Sequence, residues 1–137
     1  MAVREIIRRM RRDWDERARE NARYYVVTGQ EKWSDEDFRQ SGRVTLEEEI
    51  LNDLTNVCQG KDPKEMTVLE IGCGAGRVTR AFAEYFGEVY AVDISREMVR
   101  QARRGRPRAR QWRRRAGPRS SCSHHRSLQG SLNVAVA

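Results

Sequence analysis

Several signatures are missing from this chain of 137 residues, and each absence excludes something. No apolar run is long enough to span a bilayer, and the first residues mix Arg with Asp and Glu too densely for a signal peptide. A cytoplasmic protein with no membrane partner is therefore expected. The three cysteines, Cys58, Cys73 and Cys122, form an odd and scattered set, which implies neither a disulfide framework nor a CxxC metal pair. Cys122-Ser123-His124-His125 crowds three soft ligands together, but a closed site needs four with fixed geometry. The cluster Glu47-Glu48-Glu49 has no His or second acid cluster at ligand spacing, so it reads as helix-start chemistry. No metal is expected.

Acidic residues are missing from one part only. Residues 1–100 hold all 20 Asp/Glu and 17 Lys/Arg, whereas residues 101–137 hold ten Arg, no Lys and no acid. The formal charge of +7 thus belongs to the tail and says nothing about the partners of the rest.

What is present centres on Val68-Leu69-Glu70-Ile71-Gly72-Cys73-Gly74-Ala75-Gly76. Val68–Ile71 has the look of a buried parallel strand. It breaks into three alternate glycines, after which Val78, Ala81, Phe82 and Tyr85 recur at helical spacing. In a strand, glycine turn and helix, bare backbone approaches a ligand at the helix N-terminus. Gly87 stops the helix, and Glu88-Val89-Tyr90-Ala91-Val92-Asp93 reads as a second strand ending in an acid. An acid about 20 positions beyond the glycine turn is where ribose hydroxyls meet a carboxylate, which accepts two hydrogen bonds from a vicinal diol. The dinucleotide fingerprint G-x-G-x-x-G fails here, because Arg77 stands where a small residue is needed.

The pattern Glu70-x-Gly72-x-Gly74-x-Gly76, followed by Ala91-Val92-Asp93-Ile94-Ser95, resembles class I S-adenosylmethionine-dependent methyltransferases over roughly residues 66–103. The resemblance implies a cofactor site made by Glu70, Gly72, Cys73, Gly74, Gly76, Asp93 and Ile94. The glycine loop would lie along the methionine end of S-adenosylmethionine, Asp93 would hold the ribose, and Ile94 would pack on adenine. It also implies an α/β fold, a Rossmann-like doubly wound parallel sheet. No catalytic residue is assigned, and the methyl acceptor is unknown. Trp14-Asp15-Glu16-Arg17-Ala18 resembles an N-terminal element that helps to cover the cofactor in many such enzymes.

The remaining elements follow from periodicity. Val3, Ile7, Met10, Trp14, Ala18, Ala22 and Tyr25 predict a helix from 3 to about 27, with Arg8, Arg9, Arg11 and Arg12 on a solvated face. Ser34 predicts a capped helix with Trp33 stapled to Phe38, stopping near Ser41-Gly42. Thr45 and Glu48 predict a capping box for a second helix with Leu46, Ile50, Leu54 and Val57 as its buried stripe, closed by Gly60. Asp62-Pro63 predicts a turn, and Ser95 caps a helix with Met98, Val99 and Ala102 inward.

Three segments are expected: an N-terminal helical segment over 1–65, a cofactor-binding β-α-β-α part over 66–103, and a disordered basic tail over 104–137. The sheet would be incomplete, with two strands only and unpaired edges through which chains associate. The abrupt, lysine-free onset of the tail suggests a truncated or frame-shifted methyltransferase lacking its substrate half. Two other readings stand beside it: a nucleic-acid-binding module acting through the Arg-rich tail with Trp112, and a non-functional fragment.

Overall fold

The structure, a computed structural model, describes residues 2–104 and 131–136. Helix α1 (Val3–Val26) is followed by α2 (Asp35–Glu49), α3 (Leu54–Cys58), strand β1 (Thr67–Ile71), α4 (Arg77–Tyr85), β2 (Glu88–Asp93), α5 (Arg96–Arg104) and β3 (Ser131–Val136). The strands form one parallel sheet in the order β1-β2-β3, with Val68 opposite Val89, Glu70 opposite Ala91, and Ala91 opposite Val134. Among the described residues no helix is long and apolar enough to cross a membrane.

Sequence-based expectations need correction in four places. The segment 131–136, placed in a disordered tail, is a strand, so β2 has neighbours on both sides and the sheet has three strands among the described residues, not two. The expectations for Trp112 and for Cys122-Ser123-His124-His125 fall on positions outside the described residues. Strand β1 is half bare rather than buried: Val68 and Glu70 face the helices, whereas Leu69 and Ile71 are 62% and 81% exposed.

The third correction concerns α2, which does not stop at Ser41-Gly42. Ser34 caps it as expected, accepting from Asp37 N at 3.0 Å, and Trp33 meets Phe38 edge to face. The helix then runs through Gly42, where a Cβ would lie 2.1 Å from the Arg77 carbonyl oxygen. Gly42 is a point of close approach between α2 and α4. The Arg77 guanidinium seals it by donating to Ser41 O (2.9 Å) and Thr45 Oγ1 (2.8 Å). Thr45 therefore caps nothing; its hydroxyl donates back to Ser41 O within the helix (3.0 Å). Lastly, the chain breaks at Ile50 into a single 3₁₀ turn, Leu51–Asp53. This break turns Cys58 inward and leaves Val57 exposed, against the predicted stripe.

The core sits between the sheet and the helices. Leu46, Ala81, Phe86 and Val89 pack under α2 and α4, while Cys73, Ala91, Val99 and Ala102 pack under α5. Ala18, Ala22, Phe38, Ala75 and Met98 join α1 to the other helices. Two alanines at i and i+4 make one close-packing stripe on α1.

Candidate functional site: a pocket between the glycine turn and the first helix

The turn after β1 is built by backbone. Gly72 N and Cys73 N both donate to Val92 O, at 2.8 and 3.1 Å, extending the β1–β2 ladder by one step. Gly72, Gly74 and Gly76 then take φ of 79°, 52° and 81°, a region that residues with a Cβ rarely adopt. At Gly74 a Cβ would also come within 2.7 Å of Val26 on α1. Gly76 begins α4, and no side chain caps that helix.

Asp93 ends β2 and faces this turn. Its Oδ2 accepts from Gly74 N and its Oδ1 from Ser95 N, both at 2.8 Å. The carboxylate is thereby fixed in orientation, and each oxygen keeps acceptor capacity for one more donor.

Helix α1 closes the opposite wall. Asp15 Oδ1 accepts from Ser95 Oγ (2.6 Å) and from Glu97 N (3.1 Å), while Ser95 Oγ accepts from Met98 N (3.1 Å). A residue of α1 therefore shares the N-terminal capping of α5 with Ser95. Burial acts to raise the Asp15 carboxyl, but those two hydrogen bonds and the Arg19 charge outweigh it and hold the group below its ordinary value. Two further ties, Arg11 Nε to Ile94 O (3.2 Å) and Gln101 Nε2 to Ala18 O (2.7 Å), lock α1 along the end of β2 and α5. Near its C-terminal end α1 kinks at Asn21, whose φ of −162° leaves the helical region. Asn21 Oδ1 accepts from Tyr24 N (3.2 Å), so it caps a fresh helical turn that aims Tyr25 and Val26 at the glycine turn.

Between these walls lies a pocket of about 430 Å³ lined by Trp14, Tyr25, Val26, Ile71, Gly72, Gly74, Val92, Asp93, Ile94 and Met98. The predicted site residues divide. Gly72, Gly74, Asp93 and Ile94 line the pocket; Glu70, Cys73 and Gly76 do not. Gly76 instead lets the turn pack on α5, where its Cβ would meet that of Ala102 at 3.0 Å. Cys73 is buried in the α5 core, and burial pushes its thiol up to about 12, which leaves it protonated and inert as a nucleophile. Glu70 points into the helical layer beside Thr79 and Arg77, and its Oε2 is buried without a hydrogen-bond partner among the described residues. Its carboxyl is raised by burial; neighbouring Thr79 and Arg77 oppose that rise and the Asp93 charge adds to it.

Sequence reasoning singled out Trp14 as part of a covering helix, but missed Tyr25 and Val26. The signal was Asn21, a capping residue inside an otherwise unbroken helical pattern. The Tyr25 hydroxyl donates to Glu20 Oε2 (2.9 Å), and that bond raises its pKa, so it keeps its proton. No group of three His, Cys, Asp or Glu residues stands together as a metal site among the described residues.

A glycine turn, an acid closing the next parallel strand and a covering helix meet on a Rossmann-like α/β fold. Two comparisons with known proteins bear on that fold. Residues 68–124 match a family described as a methyltransferase domain. The fold is similar to that of magnesium protoporphyrin IX methyltransferase from Synechocystis PCC 6803 with bound SAH, at a TM-score of 0.55 and 18% identity. That likeness covers 93% of this chain and 49% of the other, so the chain spans about half the length of the protein it matches. No curated protein matches the sequence. The chain is thus similar to a methyltransferase domain over residues 68–124 and shares the fold of a methyltransferase of known structure.

Proposed function

We propose that the pocket binds S-adenosylmethionine and that the domain serves methyl transfer to an acceptor. The observation that carries this reading is Asp93: a carboxylate pinned by Gly74 N and Ser95 N at the edge of a pocket otherwise walled by apolar and glycine residues. A vicinal diol needs such an acceptor pair, and an adenine ring needs flat apolar walls, here Ile94, Val92 and Met98. The glycine turn leaves room for the methionine portion, and the first turn of α4, which no side chain caps, presents backbone N–H groups to a carboxylate.

The bound cofactor supplies a methyl group on a sulfonium, already activated for displacement. The protein's part is therefore to hold and orient. Asp93 fixes the sugar, the turn fixes the tail, and Trp14, Tyr25 and Val26 exclude water from one side. Glu70 stands behind the turn, buried beside Arg77 and Thr79, and does not reach the pocket.

Titration calorimetry of the full chain with S-adenosylmethionine tests the reading. Asp93→Ala is expected to weaken binding by about 1.5–3 kcal/mol, roughly 10- to 150-fold, as charge-assisted hydrogen bonds are lost. Unchanged affinity would show the ribose assignment to be wrong, and no binding by the parent chain would remove the proposal.

A further inference from the structure

Three guanidinium groups, those of Arg23, Arg39 and Arg80, gather where α1, α2 and α4 meet, and none of them lines the cofactor pocket. Arg23 lies over the Phe38 ring, 5.2 Å from its centroid, and donates to Trp33 O (2.8 Å) and to Asp35 Oδ1. Arg39 donates to Glu36 Oε2. Arg80 differs from both. It is half-buried, and its Nε is buried without an acceptor among the described residues. Burial, then the Arg39 and Arg23 charges, push its guanidinium below the ordinary value, and only Asp35, already engaged by Arg23, opposes them. A second donor beside Arg23, Trp33 Nε1, is likewise buried without an acceptor, and Trp33 stands edge to face with the same Phe38 ring. Buried donors are ordinarily paired, so two in one cluster call for an acceptor. The helix does not account for Arg80 either. It sits in the first turn of α4, which holds no acid and where a cation opposes the dipole.

We propose that Arg80, flanked by Arg23 and Arg39, receives the carboxylate or phosphate group of a small methyl acceptor. The acceptor role rests on the methyl-transfer reading above; the anion site itself does not. A compact oxyanion offers several lone pairs at once and matches the planar fork of a guanidinium. The side chains of Arg23 and Arg39 are 35% and 45% exposed, so the cluster is open to solvent. Asp35 and Glu36 stand at its rim and would repel an extended polyanion. The cluster also adjoins the cofactor pocket. Arg23 belongs to the turn after Asn21 that carries Tyr25 and Val26 into the pocket wall, and Phe38 packs in one cluster with Ala75 of the glycine turn. An anion held here sits beside the cofactor without using any residue that lines its pocket.

The test follows the Arg80 Nε–H and Trp33 Nε1–H signals of the full chain by NMR, assigned through Arg80→Gln and Trp33→Phe. Inorganic phosphate or acetate is added against sodium chloride of matched ionic strength. Both signals are expected to move with one dissociation constant for a given anion. Arg80→Gln, read at the Trp33 signal, should weaken that binding about tenfold. Arg39→Gln, at an exposed position, should weaken it about threefold and serves if Arg80→Gln fails to fold. Repeating the titration with S-adenosylhomocysteine present tests the acceptor role, since acceptor and cofactor must be bound together. Asp93→Ala should lose the cofactor and keep the anion. A parent chain that binds phosphate or acetate but no cofactor therefore removes the methyl-transfer reading and leaves the anion site standing. Three results would overturn the proposal. They are no movement of either signal beyond the sodium chloride control, equal affinity in parent and variants, and mutual exclusion of the anion and S-adenosylhomocysteine.

Discussion

The two faces of the sheet present opposite surfaces from the same strands. Toward the helices, Val89 and Ala91 are 0% and 1% exposed, and Val68 and Glu70 lie under α4. On the other face, where Leu69 pairs with Tyr90 and Ile71 with Val92, Leu69, Ile71 and Tyr90 stand 62%, 81% and 44% exposed. Parallel sheets are ordinarily covered on both faces. The bare face thus carries side chains suited to cover, and β1 has no pairing on its outer edge among the described strands. The contrast teaches that burial here was assigned by which partner is present, since Leu69 and Val68 are equally apolar neighbours in one strand.

The comparison can be broken or sharpened by substitution. The largest effect is expected from Gly42→Leu, which drives a side chain into the Arg77 carbonyl; a loss on the order of 3 kcal/mol or more should appear in urea unfolding. Val89→Ala, on the covered face, should cost about 2 kcal/mol by the same measurement. Asp15→Ala should cost about 1 kcal/mol at neutral pH through lost capping of α5. Because the folded-state pKa of Asp15 is depressed, that contribution is present above the ordinary value of 3.8. It is lost as pH falls through the lower folded value, so parent and variant should converge in acid. A gap that persists at low pH would show that the carboxylate charge is not what caps. The smallest effect belongs to Leu69→Lys on the bare face, within about 0.5 kcal/mol. The same change should reduce self-association in sedimentation, since we propose that this face and the β1 edge are where chains associate. A Leu69→Lys cost as large as that of Val89→Ala would erase the distinction between the faces.

What was legible in the sequence was local. Alternate glycines at 72, 74 and 76 with an acid at 93 announce a turn of positive φ facing the next strand, because both requirements are met within about twenty residues. What was not legible depended on distant partners. Asp15 caps α5 from some 80 residues away, and no pattern near Ser95 points to it. Ser41-Gly42 has the same composition whether it ends a helix or admits a neighbouring backbone, and only the position of Arg77 decides. Ser131–Val136 is six residues without a preceding pattern, and its register beside β2 makes it a strand. Cys73 and Gly76 sit inside the motif yet serve packing, because α5 lies against the turn: Cys73 is buried beside Val99 and Ala102, and Gly76 approaches Ala102 closely.

The kink at Asn21 has a kinetic side. Tyr25 and Val26 follow the kink, so that part of the covering wall is one short turn, hinged where the backbone ladder is already interrupted, while Trp14 stays on the part of α1 tied to α5. Opening that turn widens the pocket without disturbing the β1–β2 pairing. Its amides are accordingly the ones whose exchange with solvent reports occupancy: fast in the empty chain, slowed in proportion to ligand concentration over Kd once the pocket fills.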